Sequence, residues 1–244
     1  MQSAEYLKLA EVEDRMWYFQ ALHGRIADQL AARVGSTGEI LDAGCGTGGL
    51  IRRLGRKLPG WRWTGIDMDP LAVRLACERV GEPVRLAEGS VTSLPYPNGS
   101  FDAVVSADVL YHLDDDAAAV NEAFRVLRPG GVLIVNVPAY PWLWSYHDEA
   151  VGGRRRYRRA GLVKLLTAAG FSAVCATHAN LSVFPLVVAR RKLFPAPKGG
   201  SDVELQPAPV EAVLRTLAAL ENGWIRDGGG LPFGSSVFAV ATKA

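Results

Sequence analysis

The stretch EILDAGCGTGGL, residues 39–50, decides the fold, because a short apolar run leads directly into a turn rich in glycine. Gly44, Gly46 and Gly49 fit the dinucleotide-binding pattern G-x-G-x-x-G, whereas Gly44, Gly46 and Gly48 equally fit G-x-G-x-G. Glycine lets a ligand approach the backbone closely, since no side chain intervenes. The spacing therefore predicts a ligand-binding turn at the end of a strand but leaves the ligand open.

Short β-rich runs and helical segments alternate around this turn. The runs are EILDAG, RWTGID, PVRLAEG, FDAVVSAD and GVLIVNVP, and helices are expected at about 48–58, 70–80, 115–127 and 158–169. This alternation predicts parallel βαβ units, and hence an α/β fold with an open, doubly wound sheet that helices cover on both faces. The later runs SAVCATHA and SVFAVATK add two strands, which gives a sheet of seven.

The segments around these runs are interpreted as parts of a single domain, 1–244. Apolar positions between Leu22 and Leu30 recur at helical spacing and predict one helix over 4–33. The stretch 195–209 is rich in proline and glycine and is expected to be a loop, with a helix, VEAVLRTLAALENGW, after it. We therefore expect an insertion before the last strand rather than a second domain.

The composition describes an ordinary folded protein and excludes some partners. Of the 244 residues, 49% are apolar and 21% are charged, and the formal net charge of +2 argues against a dominant nucleic-acid-binding surface. The three cysteines form neither a metal-ligand cluster nor a disulfide framework. The N-terminus shows no signal peptide, and the apolar stretch 181–189 is too short to span a bilayer. We expect a cytoplasmic protein with no metal and no membrane span.

Asp42 indicates which kind of ligand the glycine turn holds. In an open parallel sheet, ligands bind beyond the carboxyl ends of the strands. Asp42 stands at that end of the first strand, two residues before Gly44. Its carboxylate would repel a pyrophosphate and attract a cation. The alternative is that Asp42 only caps or braces the turn through hydrogen bonds.

Two later strand ends supply the other parts of a nucleoside site. Asp67 ends the second strand, about 20–25 residues beyond the glycines, where a carboxylate can accept hydrogen bonds from both ribose hydroxyls. An exposed carboxylate with no ligand is the alternative there. After the third strand, the Ser90 hydroxyl can accept from an adenine amino group, and the Val91 N–H can donate to a ring nitrogen. An adenosyl ligand with a charged amino-acid end fits these positions better than a dinucleotide does.

An ordered set of motifs, LDAGCGTG, GIDMDP, GSVTSLPYPNGSFDAVVSADVLYHL and AFRVLRPGGVLIVNVP, covers about residues 40 to 138. The set resembles the class I S-adenosylmethionine-dependent methyltransferases, in particular the small-molecule branch called methyltransferase type 11. The resemblance implies a Rossmann-like, mostly parallel sheet with an antiparallel last strand. It also implies S-adenosyl-L-methionine as cofactor and S-adenosyl-L-homocysteine as product.

The resemblance assigns residues around the cofactor as well. They are Asp42, Gly44 and Gly46 at the methionine end, Asp67 at the ribose, Met68, Ser90 and Val91 around the adenine, and Ser106 at the end of the fourth strand. One position departs from the pattern, since relatives usually carry aspartate where Ser90 stands. Serine keeps an acceptor there but loses the charge, which puts the affinity for adenine in question.

Three side chains are candidates for removing a proton from the acceptor during in-line methyl transfer. His112 lies just past the fourth strand, where the alternative is a packing histidine of that loop. His147 follows the fifth strand, where substrate-binding segments usually attach in this family, and Asp148 beside it would act with it as base or orienter. His178 lies within a strand and is expected to be structural.

Aromatic residues gather in two segments, the N-terminal cap 1–36 and the segment 139–157, and predict walls of an acceptor pocket. In relatives an aromatic N-terminal helix closes over the cofactor, and residues 184–226 are expected on the substrate side as well. The predicted pocket residues are Trp17, Tyr18, Tyr140, Trp144 and Arg156. A lid sealed against the core would use the aromatics of 139–157 equally well.

The run GGRRRYRRAG, residues 152–161, concentrates five arginines. A solvated charge run leading into a helix is the first interpretation. The alternative is an anion site in which Arg156 and its neighbours bind a carboxylate or phosphate of the acceptor, since guanidinium groups bind both in bidentate fashion.

Together these features predict a methyltransferase that acts on a small-molecule acceptor, anionic if the arginines bind it. The alternative keeps the cofactor but uses it for cyclisation, for transfer of another arm, or in a noncatalytic partner subunit. A nicotinamide oxidoreductase is disfavoured by Asp42, and a nucleic-acid-binding module by the near-neutral charge. Oxygen, nitrogen and carbon acceptors and every oligomeric state fit the sequence.

Overall fold

The computed structural model describes residues 3–196 and 201–244. Over these residues, seven strands form one sheet in the order β3-β2-β1-β4-β5-β7-β6. The strands are β1 (Gly38–Ala43), β2 (Trp61–Asp67), β3 (Arg85–Glu88), β4 (Phe101–Ala107), β5 (Leu127–Pro138), β6 (Phe171–Ala179) and β7 (Ser236–Lys243). Strands β1 to β5 pair in parallel, and β7 lies antiparallel between β5 and β6. The predicted fold class is confirmed.

Helices cover both faces of this sheet. Within the described residues they are α1 (Ser3–Val12), α2 (Trp17–Arg33), α3 (Gly49–Lys57), α4 (Pro70–Val80), α5 (Asp116–Val126), α6 (Tyr146–Ala150), α7 (Arg159–Ala168), α8 (Phe184–Leu193) and α9 (Ala208–Arg226). α5 and α7 pack on one face, and α2 and α3 pack on the other. The four helices expected between 48 and 169 correspond to α3, α4, α5 and α7.

Neighbouring residues of the central strands belong to opposite cores. Ile40 of β1 packs in the core beneath α2 and α3, whereas Leu41 packs in the core beneath α5 and α7. Ile134 and Leu133 of β5 divide in the same way. Because side chains alternate between the faces of a strand, a strand buried on both faces is a continuous apolar run. This explains why GVLIVNVP was recognisable from sequence.

The helix predicted over 4–33 is in fact two helices, because residues 13–16 leave the helical conformation. Glu13 is buried there and pairs with Arg79 of α4. Asp14 pairs with the same guanidinium at 3.2 Å. These contacts hold the break against α4. Helix α1 lies beside the carboxyl ends of the strands, where it lines a cavity. The apolar spacing that predicted the helix lies wholly in α2 and could not reveal the break.

The predicted insertion 184–226 contains two helices, α8 and α9. The helix α9 was expected, whereas α8 was not, because Pro185 and a basic end interrupt its apolar stretch. Proline at the start of a helix removes no needed hydrogen bond. Residues 1–2 of the predicted cap and 197–200 of the predicted loop lie outside the described residues. Among the helices described, we find none with the length and hydropathy needed to cross a membrane.

Candidate active site

A cavity of about 740 Å³ opens at the carboxyl ends of β1 to β5. Its walls are residues that follow these strands, together with side chains of α1, α2, α8 and α9. The predicted site residues that line it are Trp17, Tyr18, Asp42, Gly44, Gly46, Asp67, Met68, Ser90, Val91, His112, His147, Asp148 and Arg156. Ser106, Tyr140 and Trp144 lie elsewhere. The chain thus brings most of the predicted residues to one cavity.

The glycine turn lies at the base of the cavity, and two of its glycines are needed for different reasons. The N–H groups of Gly44 and Cys45 both donate to the carbonyl of Ile66, at 2.8 and 2.9 Å, which ties the turn to β2. A Cβ atom on Gly44 would lie 2.3 Å from Cγ2 of Val109, so a side chain there would clash. A Cβ atom on Gly46 would meet nothing within 4 Å. The φ of +51° at Gly46 is one that glycine adopts readily. Because Gly46 lines the cavity and has no side chain, its backbone is open to a ligand.

Asp67 braces the glycine turn and still faces the cavity. Its Oδ2 accepts from the N–H of Gly46 at 2.9 Å, and its Oδ1 accepts from the N–H of Asp69 at 3.0 Å. A carboxylate oxygen has two lone pairs, so each oxygen can accept one further hydrogen bond. Asp67 is therefore held in place for a ligand with two neighbouring hydroxyls.

Asp42 is buried beside the turn, and within the described residues its carboxylate has no hydrogen-bond partner. Burial, together with the negative charges of Asp67 and Glu13, raises its pKa from 3.8 to about 8. A buried carboxylate without a partner is costly unless a ligand compensates it. The bracing role belongs to Asp67, so a ligand-facing role for Asp42 is the interpretation that the geometry favours.

The residues predicted around the adenine line the cavity, but one of them, Ser90, uses part of its hydrogen-bonding capacity locally. Met68 and Val91 line the cavity, and Met68 is 69% exposed. The Ser90 hydroxyl shares a hydrogen bond of 2.8 Å with the Thr92 hydroxyl, so part of its capacity is used locally. The prediction for Ser106 is wrong, because its side chain faces α5, on the same face of β4 as Val104. Because side chains alternate between the two faces of a strand, Ala107 rather than Ser106 lies at the cavity. Asp108, which follows the end of β4, lines the cavity as well.

Asp108 is the residue that the sequence analysis missed. It follows β4 with a φ of +57°, an uncommon conformation that aspartate tolerates better than most residues. Its two oxygens accept from the Tyr18 hydroxyl at 2.6 Å and from Nδ2 of Asn136 at 2.8 Å. Burial raises its pKa to about 6, although both hydrogen bonds lower it. A polar residue directly after a buried strand was the available signal.

The two predicted histidine bases both line the cavity, but their rings carry the proton on different nitrogens. Nδ1 of His147 accepts from the N–H of Asp202 at 3.0 Å, so the proton of this neutral ring lies on Nε2. Burial, followed by the charge of Arg191, lowers the pKa of His147 to about 3. Nδ1 of His112 lies 3.1 Å from the carbonyl of Gly152 and donates to it. Burial lowers the pKa of His112 to about 4. His147 is thus a donor at Nε2, and His112 is an acceptor at Nε2.

Asp148 and Arg156 form a buried ion pair in the wall of the cavity. The Nε of Arg156 donates to Asp148 at 2.7 Å, and both side chains are 1% exposed. Asp148 also accepts from the N–H of Ser145 at 2.9 Å and thereby caps α6. The Nη1 of Arg156 donates to the carbonyl of Ala139, but its buried Nη2 has no partner within the described residues. Asp148 therefore positions Arg156, whose buried Nη2 keeps an unused hydrogen-bond donor.

The predictions for Tyr140 and Trp144 as pocket walls are wrong, because both pack outside the cavity. The ring of Tyr140 stacks on His178 at 5.2 Å, next to Phe184 of α8. The indole N–H of Trp144 reaches Glu149 at 3.4 Å. Helix α8, which the sequence analysis did not anticipate, packs Phe184 against Tyr140 and supplies Val187 and Leu186 to the wall of the cavity.

The arginines of residues 152–161, the basic run, divide between the two interpretations, a solvated charge run and an anion site. Three of them pair with carboxylates: Arg154 with Asp114, Arg155 with Asp116 and Arg156 with Asp148. Of these three, Arg156 lines the cavity. Arg158 and Arg159 are exposed and form no ion pair with the described part of the chain. Over residues 3–196 and 201–244, no three His, Cys, Asp or Glu side chains are grouped so that they could hold a metal ion.

Known proteins are similar to this chain in sequence and in fold. Residues 41–135 match a family model described as a methyltransferase domain. A probable S-adenosylmethionine-dependent methyltransferase of Mycolicibacterium smegmatis is 34% identical over 166 residues, which are 65% of this chain and 60% of that one. A malonyl-[acyl-carrier protein] O-methyltransferase of Hahella chejuensis is 39% identical over 131 residues, which are 52% of this chain and 47% of that one.

Among solved structures, a SAM-dependent methyltransferase from Thermotoga maritima has a TM-score of 0.64 at 20% identity, over 99% of this chain and 95% of that one. Over residues 41–135 the chain is similar to the S-adenosylmethionine-dependent methyltransferases in sequence, and the likeness to the solved structure shows the same fold. The chain spans less than two thirds of the length of the two curated relatives.

Proposed function

We propose that this protein binds S-adenosyl-L-methionine in the cavity and directs its methyl group to a small-molecule acceptor. The observation that carries the proposal is the pair of buried carboxylates, Asp42 and Asp67, which face the cavity at the glycine turn. Once Asp42 is ionised, the two carboxylates disfavour a pyrophosphate and suit a ligand with a cationic end and a ribose. The open backbone at Gly46 leaves room for such a ligand between them.

The residues of the cavity divide the binding task. Asp42 would pair with the ammonium group of the cofactor, Asp67 would accept from the ribose hydroxyls, and Val91 would donate its N–H to the adenine. When bound, the cofactor supplies a methyl group that is carried on a positively charged sulfur, and the leaving group is a neutral thioether. Helices α1 and α2 line the cavity with side chains such as Tyr6 and Trp17, which would exclude water once the ligands are bound.

Asp108 is the group best suited to accept a proton from the acceptor. A general base works best when its pKa lies near the working pH. Asp108 has a pKa of about 6, whereas the pKa of His112 is about 4. His147 carries its proton on the nitrogen left for a ligand and acts as a donor. We therefore assign the base to Asp108, and hydrogen bonding of the acceptor to His147.

Two donors at the same end of the cavity support an acceptor with a carboxylate or other anionic oxygen. They are the Nη2 of Arg156, which has no partner in the described chain, and the Nε2–H of His147. A buried guanidinium nitrogen without a partner gains most from an anionic oxygen. The relative from Hahella chejuensis is named for methylating malonyl-[acyl-carrier protein], and a carboxylate is the group that this donor set fits.

A labelled-cofactor assay tests the proposal. The protein is incubated with S-adenosyl-L-methionine and a panel of small carboxylic acids, phenols and amines, and both adenosyl products are quantified. Methyl transfer yields S-adenosyl-L-homocysteine together with a methylated acceptor. Accumulation of methylthioadenosine would instead support transfer of another arm of the cofactor. Arg156→Met is expected to raise the KM for an anionic acceptor about tenfold or more, with the affinity for the cofactor unchanged.

A further inference from the structure

A surface that borders the cavity carries exposed aromatic, aliphatic and basic side chains at the carboxyl edge of the sheet. We call it the edge patch. Its members are Tyr140, Trp142, Arg158, Arg159, Phe184, Leu186, Lys192, Leu193, Phe194 and Phe233. They belong to segments that follow β5 and β6, to the start of α7, and to the segment that precedes β7. None of the roles assigned above uses this surface as a whole.

Aromatic rings form one half of the edge patch. The ring of Trp142 lies 5.7 Å from Tyr140 and 6.3 Å from Phe184. Phe184 lies 5.8 Å from the ring of Phe233. Trp142 is 52% exposed and Phe233 is 42% exposed, so the cluster stays open to solvent. Exposed apolar clusters of this kind mark sites of interaction.

Helix α8 extends this surface with aliphatic residues and positive charge. Each of its residues is at least partly exposed, and Leu186 and Leu193 are 66% and 77% exposed. The segment 184–194 contains three basic residues and no acidic one, and of these three Arg191 pairs with Asp202 at 2.9 Å. Lys192 donates to the carbonyl of Trp144 at 2.9 Å, a contact that leaves its charge uncompensated. These side chains give the exposed part of α8 both apolar groups and positive charge, and anionic membrane surfaces attract positive charge.

The end of the basic run adds cations beside the aromatic rings. The N–H of Tyr140 donates to the carbonyl of Tyr157 at 2.8 Å, so Arg158 and Arg159 continue the chain next to the aromatic half. These two arginines form no ion pair with the described residues, unlike the three before them. The edge patch therefore combines apolar rings with three cations, Arg158, Arg159 and Lys192, that form no ion pair within the described residues.

We propose that the edge patch docks onto the surface of a bilayer that contains anionic lipids. Trp and Tyr favour the headgroup level of a membrane, and each Lys or Arg near an anionic surface adds attraction. A second copy of the chain is a poorer occupant, because a symmetric interface would bring these cations together. Leu186 also lines the cavity, so docking turns the wall of the cavity toward the bilayer. The proposal does not depend on the identity of the reaction.

Vesicle flotation tests the docking. The full chain is mixed with vesicles of phosphatidylcholine alone and of phosphatidylcholine with phosphatidylglycerol. We expect the protein to float with the anionic vesicles only. The double variants Arg158→Gln/Arg159→Gln and Leu193→Ser/Phe194→Ser are each expected to lower the partition coefficient about tenfold or more.

Arg56→Gln/Lys57→Gln is the matched control. This exposed pair ends α3 at the opposite edge of the sheet, where β1 and β2 begin, and its loss should leave flotation unchanged. Thermal unfolding and circular dichroism verify that every variant folds. The proposal is overturned if the wild-type protein stays unbound or floats equally with both vesicles, or if the control lowers flotation as much as the patch variants. Sedimentation that shows a dimer dissolved by the patch variants, without vesicle binding, would assign the surface to a second copy instead.

Discussion

The Tyr18 hydroxyl donates a hydrogen bond of 2.6 Å to Oδ2 of Asp108 and so joins α2 to the end of β4. Asn136 of β5 donates to the other oxygen of the carboxylate and lies 3.2 Å from the same hydroxyl. The N-terminal cap is thus fastened to an ionisable group in the wall of the cavity. Cap position and proton affinity are coupled through this contact.

Tyr18→Phe tests that coupling. The hydrogen bond from Tyr18 lowers the pKa of Asp108 against the effect of burial, so its loss raises that pKa above its value of about 6. A base must be deprotonated to act, and the acidic limb of the pH–rate profile is therefore expected to move to higher pH. Tyr140→Phe, whose ring lies outside the cavity, is the matched control and should leave the profile in place. An unshifted limb in Tyr18→Phe would remove Asp108 from the role of base.

The open backbone at Gly46 predicts a selective loss of affinity. Gly46 and Gly81 both have positive φ, +51° and +76°, and a Cβ atom on either would meet nothing within 4 Å. Alanine in such sparsely populated backbone conformations costs about 1–3 kcal/mol at each position. Because Gly46 lines the cavity and Gly81 ends α4 away from it, calorimetry should show weaker cofactor binding for Gly46→Ala alone. Equal affinities in the two variants would place the cofactor elsewhere.

The order of strands and helices could be predicted, whereas the direction of individual side chains was harder. Continuous apolar runs and glycine turns are local features, so β1 to β5 and the helices between them were recognisable. Ser106 was misplaced because its face depends on the register of β4. Asp108 was missed because the left-handed turn after that strand, which aims its carboxylate, leaves no mark in the sequence except a polar residue.

Long-range packing explains the remaining differences. Tyr140 and Trp144 belong to an aromatic segment that resembles a pocket wall, but neither lines the cavity, and Tyr140 packs on Phe184 of α8 instead. The break between α1 and α2 depends on Arg79, which is 66 residues away from Glu13 in the chain. Contacts between such distant residues form only in the folded chain, and no spacing rule contains them.

Arg79→Ala is expected to destabilise the cap strongly. Arg79 pairs with Glu13, which is buried, and donates to the carbonyl of Thr47 at 2.9 Å in the glycine turn. Removing one partner of a buried ion pair costs about 3–5 kcal/mol, because the other charge is left uncompensated. Chemical denaturation should show this loss, together with weaker cofactor binding. The exposed pair of Arg62 with Glu39 supplies a control, since Arg62→Ala should change the stability far less. A similar small effect for Arg79→Ala would contradict the account.

Asp42→Asn is expected to improve stability and impair binding. The pKa of Asp42 rises on folding from 3.8 to about 8, so the folded chain keeps a proton that the unfolded chain releases. The free energy of unfolding therefore falls as the pH rises from about 4 to about 8. Asn cannot ionise, so the variant without ligand should lose less stability than the wild-type protein over that range of pH. Parallel slopes in the two proteins would mean that Asp42 has an ordinary pKa.

The same carboxyl group predicts proton release on binding. At pH 7 the ligand-free Asp42 is mostly protonated, and a cationic ligand would bind to its ionised form. Titrations in two buffers with different enthalpies of ionisation should report about one proton released per cofactor bound in the wild-type protein. The Asp42→Asn variant should release none and should bind at least about tenfold more weakly. An equal release from both proteins would assign the proton to another group.

Calorimetric titration of the purified chain with S-adenosyl-L-homocysteine, and separately with NAD, tests the central claim most directly. The account predicts saturable binding of one S-adenosyl-L-homocysteine per chain, weakened about tenfold or more in Asp67→Asn, and no heat of binding with NAD. Saturable binding of NAD with no response to S-adenosyl-L-homocysteine would contradict it.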